Sequence, residues 1–187
     1  MSERLFNRAV FLDRDGTVIE DKHYLDNPDD ISIIPGAIRA VKIFNNLNLR
    51  VFIVSNQSGV ARGYFNISSV EKINDRLIKL FAESGAFIDK IYFCPHHIEG
   101  TVLDYAIDCN CRKPLPGMLF KARDEYSVDL MKSYVIGDKD CDMNLARNVG
   151  AISLLVKTGY GNEVDIKPDF TGKDILECAL WIKEQFK

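Results

Sequence analysis

The sequence predicts an α/β protein: a Rossmann-like parallel sheet with helices on both faces, in one domain spanning residues 1–187. Three observations predict it. Short apolar runs alternate with helical patterns along most of the chain. The runs are continuous, as in strands covered on both faces, and do not alternate with polar residues. Polar motifs follow the carboxyl ends of three of the runs, where open α/β sheets bind their ligands.

The elements follow in order. Ala9-Val10-Phe11-Leu12 is a buried strand. Residues 36–46 form a helix, with Ala37, Ala40, Val41 and Phe44 at helical spacing. Val51-Phe52-Ile53-Val54 is the second strand. Ser68 and Glu71 form a capping box that opens a helix to about Ser84, and Gly85 ends it. Residues 91–93 are a third strand, 117–126 a helix and 134–136 a fourth strand. A helix from about Cys141 to Asn148 stops before Gly150; strand 152–156 and helix 175–186 complete the order. The segment 18–34 is too long for an ordinary connection and is expected to be a flap over the site.

The bulk properties narrow the function. With 187 residues the chain can bury a sizeable core. A net charge of −3 and no basic block argue against a nucleic-acid partner. No apolar run approaches a membrane span, and residues 1–8 carry no apolar signal segment. Five cysteines, three of them close to histidines, suit a metal site in a reducing cytoplasm better than a disulfide framework. The expected protein is a cytoplasmic monomer.

The chemistry is concentrated in carboxylates. Asp13-Arg14-Asp15-Gly16-Thr17 follows the first strand, and Gly137-Asp138-Lys139-Asp140-Cys141-Asp142 follows the fourth. Ser55-Asn56-Gln57 follows the second. Clustered carboxylates at strand ends suit Mg²⁺, which is held by a few carboxylates, water and substrate phosphate. A lone Asp after a strand is as often a turn or cap, and Asp140 is read that way. Asp142 is left open between a supporting role and a helix cap.

Asp13-Arg14-Asp15-Gly16-Thr17, Ser55-Asn56-Gln57, Lys113 and Gly137-Asp138, in that order, resemble the four motifs of the haloacid dehalogenase superfamily. They span most of the chain. The resemblance implies Asp13 as nucleophile and Asp15 as general acid, then general base. It implies Mg²⁺ held by Asp13, the Asp15 carbonyl and Asp138, with Ser55 and Lys113 on the transferring phosphoryl group. It also implies no separate cap domain here, since little chain lies between the motifs beyond the helices and loops already assigned.

Cys94-Pro95-His96-His97 and Cys109-Asn110-Cys111 supply a Cys₃His set, a common structural zinc composition with no open position for catalysis. Zn²⁺ on Cys94, His96, Cys109 and Cys111 is expected; His97 is the alternative to His96, and the resemblance favours His96. The loop runs directly into Arg112-Lys113, so a metal there would steady the phosphate-binding lysine.

Within the superfamily the chain resembles the histidinol-phosphate and heptose-bisphosphate phosphatase branch. Residues 58–65, the wide loop between His96 and Cys109, and residues 112–118 look closer to its sugar-bisphosphate members. That implies a small phosphorylated sugar as substrate, losing its C7 phosphate. Asp21, Lys22, His23 and Tyr24 align with the family's substrate-contacting flap. Asn56, Gln57 and Ser58 join them, and Arg112 and Lys139 are available to a second phosphate. Arg62 could serve it too, or cap a surface loop. Two rival readings stand beside this one: a histidinol-phosphate phosphatase, and a non-catalytic zinc-stabilised binding module.

Overall fold

The computed structural model describes residues 7–186. Its strands are β1 (Ala9–Leu12), β2 (Arg50–Asn56), β3 (Lys90–Cys94), β4 (Tyr134–Gly137), β5 (Ile152–Val156) and β6 (Phe170–Gly172). Its α-helices are α1 (Ala37–Asn46), α2 (Ile67–Glu83), α3 (Gly117–Tyr126), α4 (Asp140–Val149) and α5 (Ile175–Glu184). The six strands form one parallel sheet in the order β3-β2-β1-β4-β5-β6. No separate cap domain interrupts it among the described residues.

The period-two geometry of a strand explains the two-sided core. From β1, Val10 and Leu12 pack into a cluster with Ala40, Phe44, Leu77, Phe81 and Ile182, so α1, α2 and α5 cover that face. Ala9 and Phe11 point the other way, into a cluster with Phe52, Leu119, Ala122, Leu145 and Ala146 under α3 and α4. All four β1 side chains are fully buried, which is why this run is apolar throughout.

The strand order reverses between β1 and its two neighbours, β2 and β4. A switch of this kind leaves a crevice beyond the carboxyl ends of the strands. Register places it: Leu12 pairs with Ile53 on one side and Ile136 on the other. Asp13, Ser55 and Asp138 therefore emerge at the same end of the sheet.

Three expectations need correction. The α2 cap is Asn66, two residues before Ser68: its extended backbone lets Oδ1 accept from Ser69 N at 2.9 Å. Asparagine caps as well as serine, and it stands earlier in the chain. The last helix ends at Glu184, where Gln185 already caps. Strand β6 went unforeseen because only Gly172 of its three residues is buried, too short a run for any periodicity. Gly85, at φ 71°, and Gly150, at φ 72°, do end α2 and α4.

The segment 18–34 has a pinned base and an open tip. Ile34 N donates to Val18 O at 3.0 Å, Glu20 N to Ser32 O at 2.9 Å, and Val18 and Ile19 are buried. The tip carries Asp21 to Tyr24 and a 3₁₀ turn at Pro28–Asp30.

Candidate active site

The crevice is a cavity of about 380 Å³. Asp13, Asp15, Ser55, Asn56, Gln57, Ser58, Arg112, Lys113 and Lys139 line it, and the flap adds Asp21, His23 and Tyr24. Lys22 is not among the lining residues; its ammonium donates back to the Asp30 carbonyl at 2.6 Å.

At the floor lies a buried chain of charges. Lys113 Nζ sits 2.7 Å from Asp13 Oδ1 and 2.7 Å from Asp142 Oδ1, with all three side chains under a tenth exposed. The loop carrying Lys113 is fixed by Asn56, which accepts from Lys113 N at 2.9 Å and donates to its carbonyl at 3.1 Å. The Lys113–Pro114 peptide is cis. Burial alone would push the Asp13 carboxyl up, but Lys113 and Lys139 hold it below its usual value. Burial opposes the charge on Lys113 too, yet Asp13 and Asp142 raise it above the ordinary lysine value. Asp13 thus stands ready as a carboxylate and Lys113 as a cation.

Asp142 serves two purposes. Its Oδ1 meets Lys113, and its Oδ2 accepts from Lys139 N at 3.2 Å, closing the first turn of α4. Asp140 accepts from Ile166 N at 3.3 Å, a structural tie as expected.

Asp138 differs from its neighbours. It is fully buried; Oδ2 accepts from Tyr160 N at 2.9 Å, but Oδ1 has no partner. Burial, then the nearby Asp13 charge, pushes its carboxyl up to about 7. An orphaned buried carboxylate oxygen beside a second carboxylate is what a divalent cation would satisfy. Gly16, at φ 88°, lets the backbone pass this carboxylate: a Cβ there would lie 2.3 Å from Asp138 Oδ2.

The loop after β5 completes the wall, and it was not read from the sequence. Thr158 Oγ1 donates to Gly16 O at 2.6 Å, and Tyr160 lies under Lys139 Nζ at 4.7 Å from its ring centre. Lys139 Nζ also reaches Asp21 Oδ2 at 3.2 Å, and the Tyr160 hydroxyl lies 3.5 Å from His23 Nδ1. The flap is thereby tied to the far wall. The signal was present: Thr158-Gly159-Tyr160-Gly161 is a glycine-rich turn after a fifth apolar run, where the strand-end rule also applies.

Beside the crevice, the sulfurs of Cys94, Cys109 and Cys111 and Nδ1 of His96 lie within 4.8 Å of one another. The Cys111–Cys94 separation is 3.0 Å and His96 Nδ1–Cys111 is 3.3 Å. His97 turns elsewhere, with Nε2 at 3.2 Å from Arg62 and Nδ1 accepting from Glu99 N. The hydrogen bond between Cys94 and Cys111 draws the Cys111 thiol down and pushes the Cys94 thiol up. Three thiols and one imidazole converging in this way fit zinc. Arg112 leans on this loop, donating to His96 O at 3.3 Å.

A Rossmann-like sheet with paired carboxylates at its switch point and a lysine from a later loop defines a haloacid dehalogenase-type hydrolase, and the chain belongs to that superfamily. Residues 110–178 match the HAD-hydrolase-like family model. The chain is 40% identical, over 93% of its length and 94% of the relative's, to D-glycero-D-manno-heptose-1,7-bisphosphate 7-phosphatase of Thermosynechococcus vestitus. It is 42% identical to the D-glycero-beta-D-manno-heptose-1,7-bisphosphate 7-phosphatase of Yersinia pestis, over 96% of this chain and 97% of that one. Among solved structures, D,D-heptose 1,7-bisphosphate phosphatase from B. bronchiseptica, complexed with magnesium and phosphate, superposes with a TM-score of 0.84. That pair shares 30% identity over 95% of this chain and 99% of the other.

Proposed function

We propose that the chain is a Mg²⁺-dependent phosphatase that removes the C7 phosphate of D-glycero-D-manno-heptose 1,7-bisphosphate, a cytoplasmic step in nucleotide-activated heptose biosynthesis. The buried Asp13–Lys113–Asp142 chain beside the unpartnered Asp138 oxygen carries it. Similarity over nearly the full length to relatives named for this reaction supports the substrate.

The chemistry follows from the groups present. Asp13 attacks the phosphorus, and the bond to the sugar C7 oxygen breaks. Lys113, held at its buried position from both sides, offsets repulsion between the carboxylate and the phosphate and stabilises charge on the equatorial oxygens. Ser55 shares that role. Asp15 gives a proton to the leaving oxygen, then takes one from the water that hydrolyses the phospho-aspartyl group. Asp13, the Asp15 carbonyl and Asp138 would hold Mg²⁺, which supplies Lewis-acid stabilisation of phosphoryl charge when bound. Zn²⁺ on Cys94, His96, Cys109 and Cys111 would steady the loop that presents Arg112 and Lys113. Tyr24, Phe65, His23 and Tyr160 rim the cavity and suit the faces and hydroxyls of a sugar. Every group invoked lies in one chain and one domain, so a monomer suffices.

Phosphorus NMR of the products tests the substrate: the sugar 1-phosphate and free phosphate are expected. A clear preference for histidinol phosphate would replace the substrate, and no release from any phosphomonoester would favour a binding module. Rapid acid quench followed by mass spectrometry should find the phosphoryl group on the peptide containing Asp13, and Asp13→Asn should abolish it.

A further inference from the structure

Arg14 separates the nucleophile from the acid–base residue, yet it does not line the cavity. It is 1% exposed. Its guanidinium turns under the floor and grips Asp15 with two parallel bonds, Nε to Oδ2 at 3.1 Å and Nη2 to Oδ1 at 3.2 Å. The fork is itself fixed from two other elements. Nη1 donates to Asn74 Oδ1 of α2 at 3.2 Å, and Nη2 donates to Gln57 Oε1 at 3.0 Å. Gln57 closes the ring, its Nε2 donating to Asp15 Oδ2 at 3.1 Å and to Ser55 Oγ at 2.6 Å.

Burying a guanidinium is costly unless its donors are matched, because it cannot shed its proton. Here the matching partners are two amides and one carboxylate. A bidentate fork fixes the plane of a carboxylate as well as its place, which a lysine cannot do. The fork complements the charged form of Asp15, the form left once a proton has gone to the leaving oxygen. The phospho-aspartyl group then awaits a base.

We propose that Arg14, anchored by Asn74 and Gln57, is a positioning residue that holds the ionised Asp15 in place for hydrolysis of the phospho-aspartyl intermediate. The inference rests on the acid–base role assigned to Asp15 above. In the step concerned, Asp15 takes a proton from water, the water oxygen bonds to phosphorus, and the phosphorus–oxygen bond to Asp13 breaks. Asn74 then serves this step through Arg14, and Gln57 serves it both through Arg14 and through its own bond to Asp15.

The test uses 4-nitrophenyl phosphate, whose good leaving group forms the intermediate with little need of an acid. Stopped-flow release of nitrophenol is followed for Arg14→Lys, Asn74→Ala and Asp15→Asn, with the acyl phosphate quantified by acid quench. For Arg14→Lys and Asn74→Ala, kcat should fall about tenfold or more while kcat/KM changes far less. A burst of nitrophenol and accumulated acyl phosphate should accompany the fall. Equal losses in kcat and kcat/KM with no burst would reduce Arg14 to a structural residue and overturn the proposal. Unchanged kcat in both variants would do so as well. Asn74→Ala keeps the test open if Arg14→Lys does not fold, since it leaves both charges in place. Asp15→Asn is the separate control: if it hydrolyses the intermediate at the wild-type rate, the acid–base role of Asp15 fails first, whatever the Arg14 variants do.

Discussion

Replacing Lys113 by methionine should destabilise the protein in a pH-dependent way. The ammonium is 2.7 Å from each of two carboxylates, and the three side chains are 2%, 6% and 0% exposed. At such burial water does little to screen the charges left behind, so the small value of a surface ion pair does not apply. Removing one partner of a buried pair costs about 3–5 kcal/mol. For a protein of this size that is a fall in Tm of roughly 6–20 °C. The sign with pH follows from linkage. Lys113 is raised above its usual value, so its contribution is fully present below the unfolded lysine pKa of about 10.5, throughout the working range. Without it, the two carboxyls keep the burial that pushes them up and lose the cation that draws them down. Asp142 already stands at about 6 with Lys113 present. The folded variant therefore binds more protons than the unfolded chain above about pH 4, and its stability falls as pH rises. The deficit against wild type should be largest near pH 8 and smaller near pH 5. Denaturant or thermal unfolding in magnesium-free, reducing buffer at both pH values measures it. A variant as stable as wild type at pH 8, or a deficit that grows as pH falls, would refute the reasoning.

Three further outcomes are expected. Mg²⁺ and protons should compete for Asp138, whose carboxyl stands at about 7, so apparent Mg²⁺ affinity measured by titration of activity should weaken as pH drops below 7. Cys109→Ser should lower zinc content, Tm and turnover together, since the loop carrying Arg112 and Lys113 loses a ligand; elemental analysis of reduced protein should find about one zinc per wild-type chain. Arg112→Ala should penalise kcat/KM for the heptose bisphosphate more than tenfold beyond its effect on an aryl phosphate, and Lys139→Ala less so, because Lys139 is already shared between Asp21 and Tyr160.

Much of the protein is legible in one dimension. Strand ends are visible because the buried runs of β1, β2 and β4 are apolar without a break, and β5 departs from this only at Ser153. Asp13, Ser55 and Asp138 stand beside those ends, and Lys113 follows the cysteine loop, so all four could be placed in the chain before any contact was known. The cysteine spacing likewise announced a convergent donor set. What stayed hidden depends on partners far away in the chain. Arg14 read as one more motif residue, while its partner Asn74 lies 60 positions on, in a helix read only from its capping residues and its closing glycine. Asn56 and Gln57 read as substrate ligands and do line the cavity, while their amides also bond Lys113 and, for Gln57, Arg14 and Asp15. The wall at Thr158–Tyr160 carries no charge, so only its glycine-rich turn after the fifth apolar run marked it.

By itself, then, the sequence determined five of the six strands, the order of the helices, the strand-end carboxylates and the clustered thiols, and the end of the sheet at which they meet. These follow from local periodicity and from which residue stands next to which strand end. Only the tertiary structure decided that His96 and not His97 faces the three cysteines, that Asp142 both caps α4 and holds Lys113, that Lys22 turns away, and that Arg14 lies beneath the floor. Each of those choices is a competition among donors and acceptors for a few buried positions, and it is resolved by distances that exist only once the strands have been brought side by side.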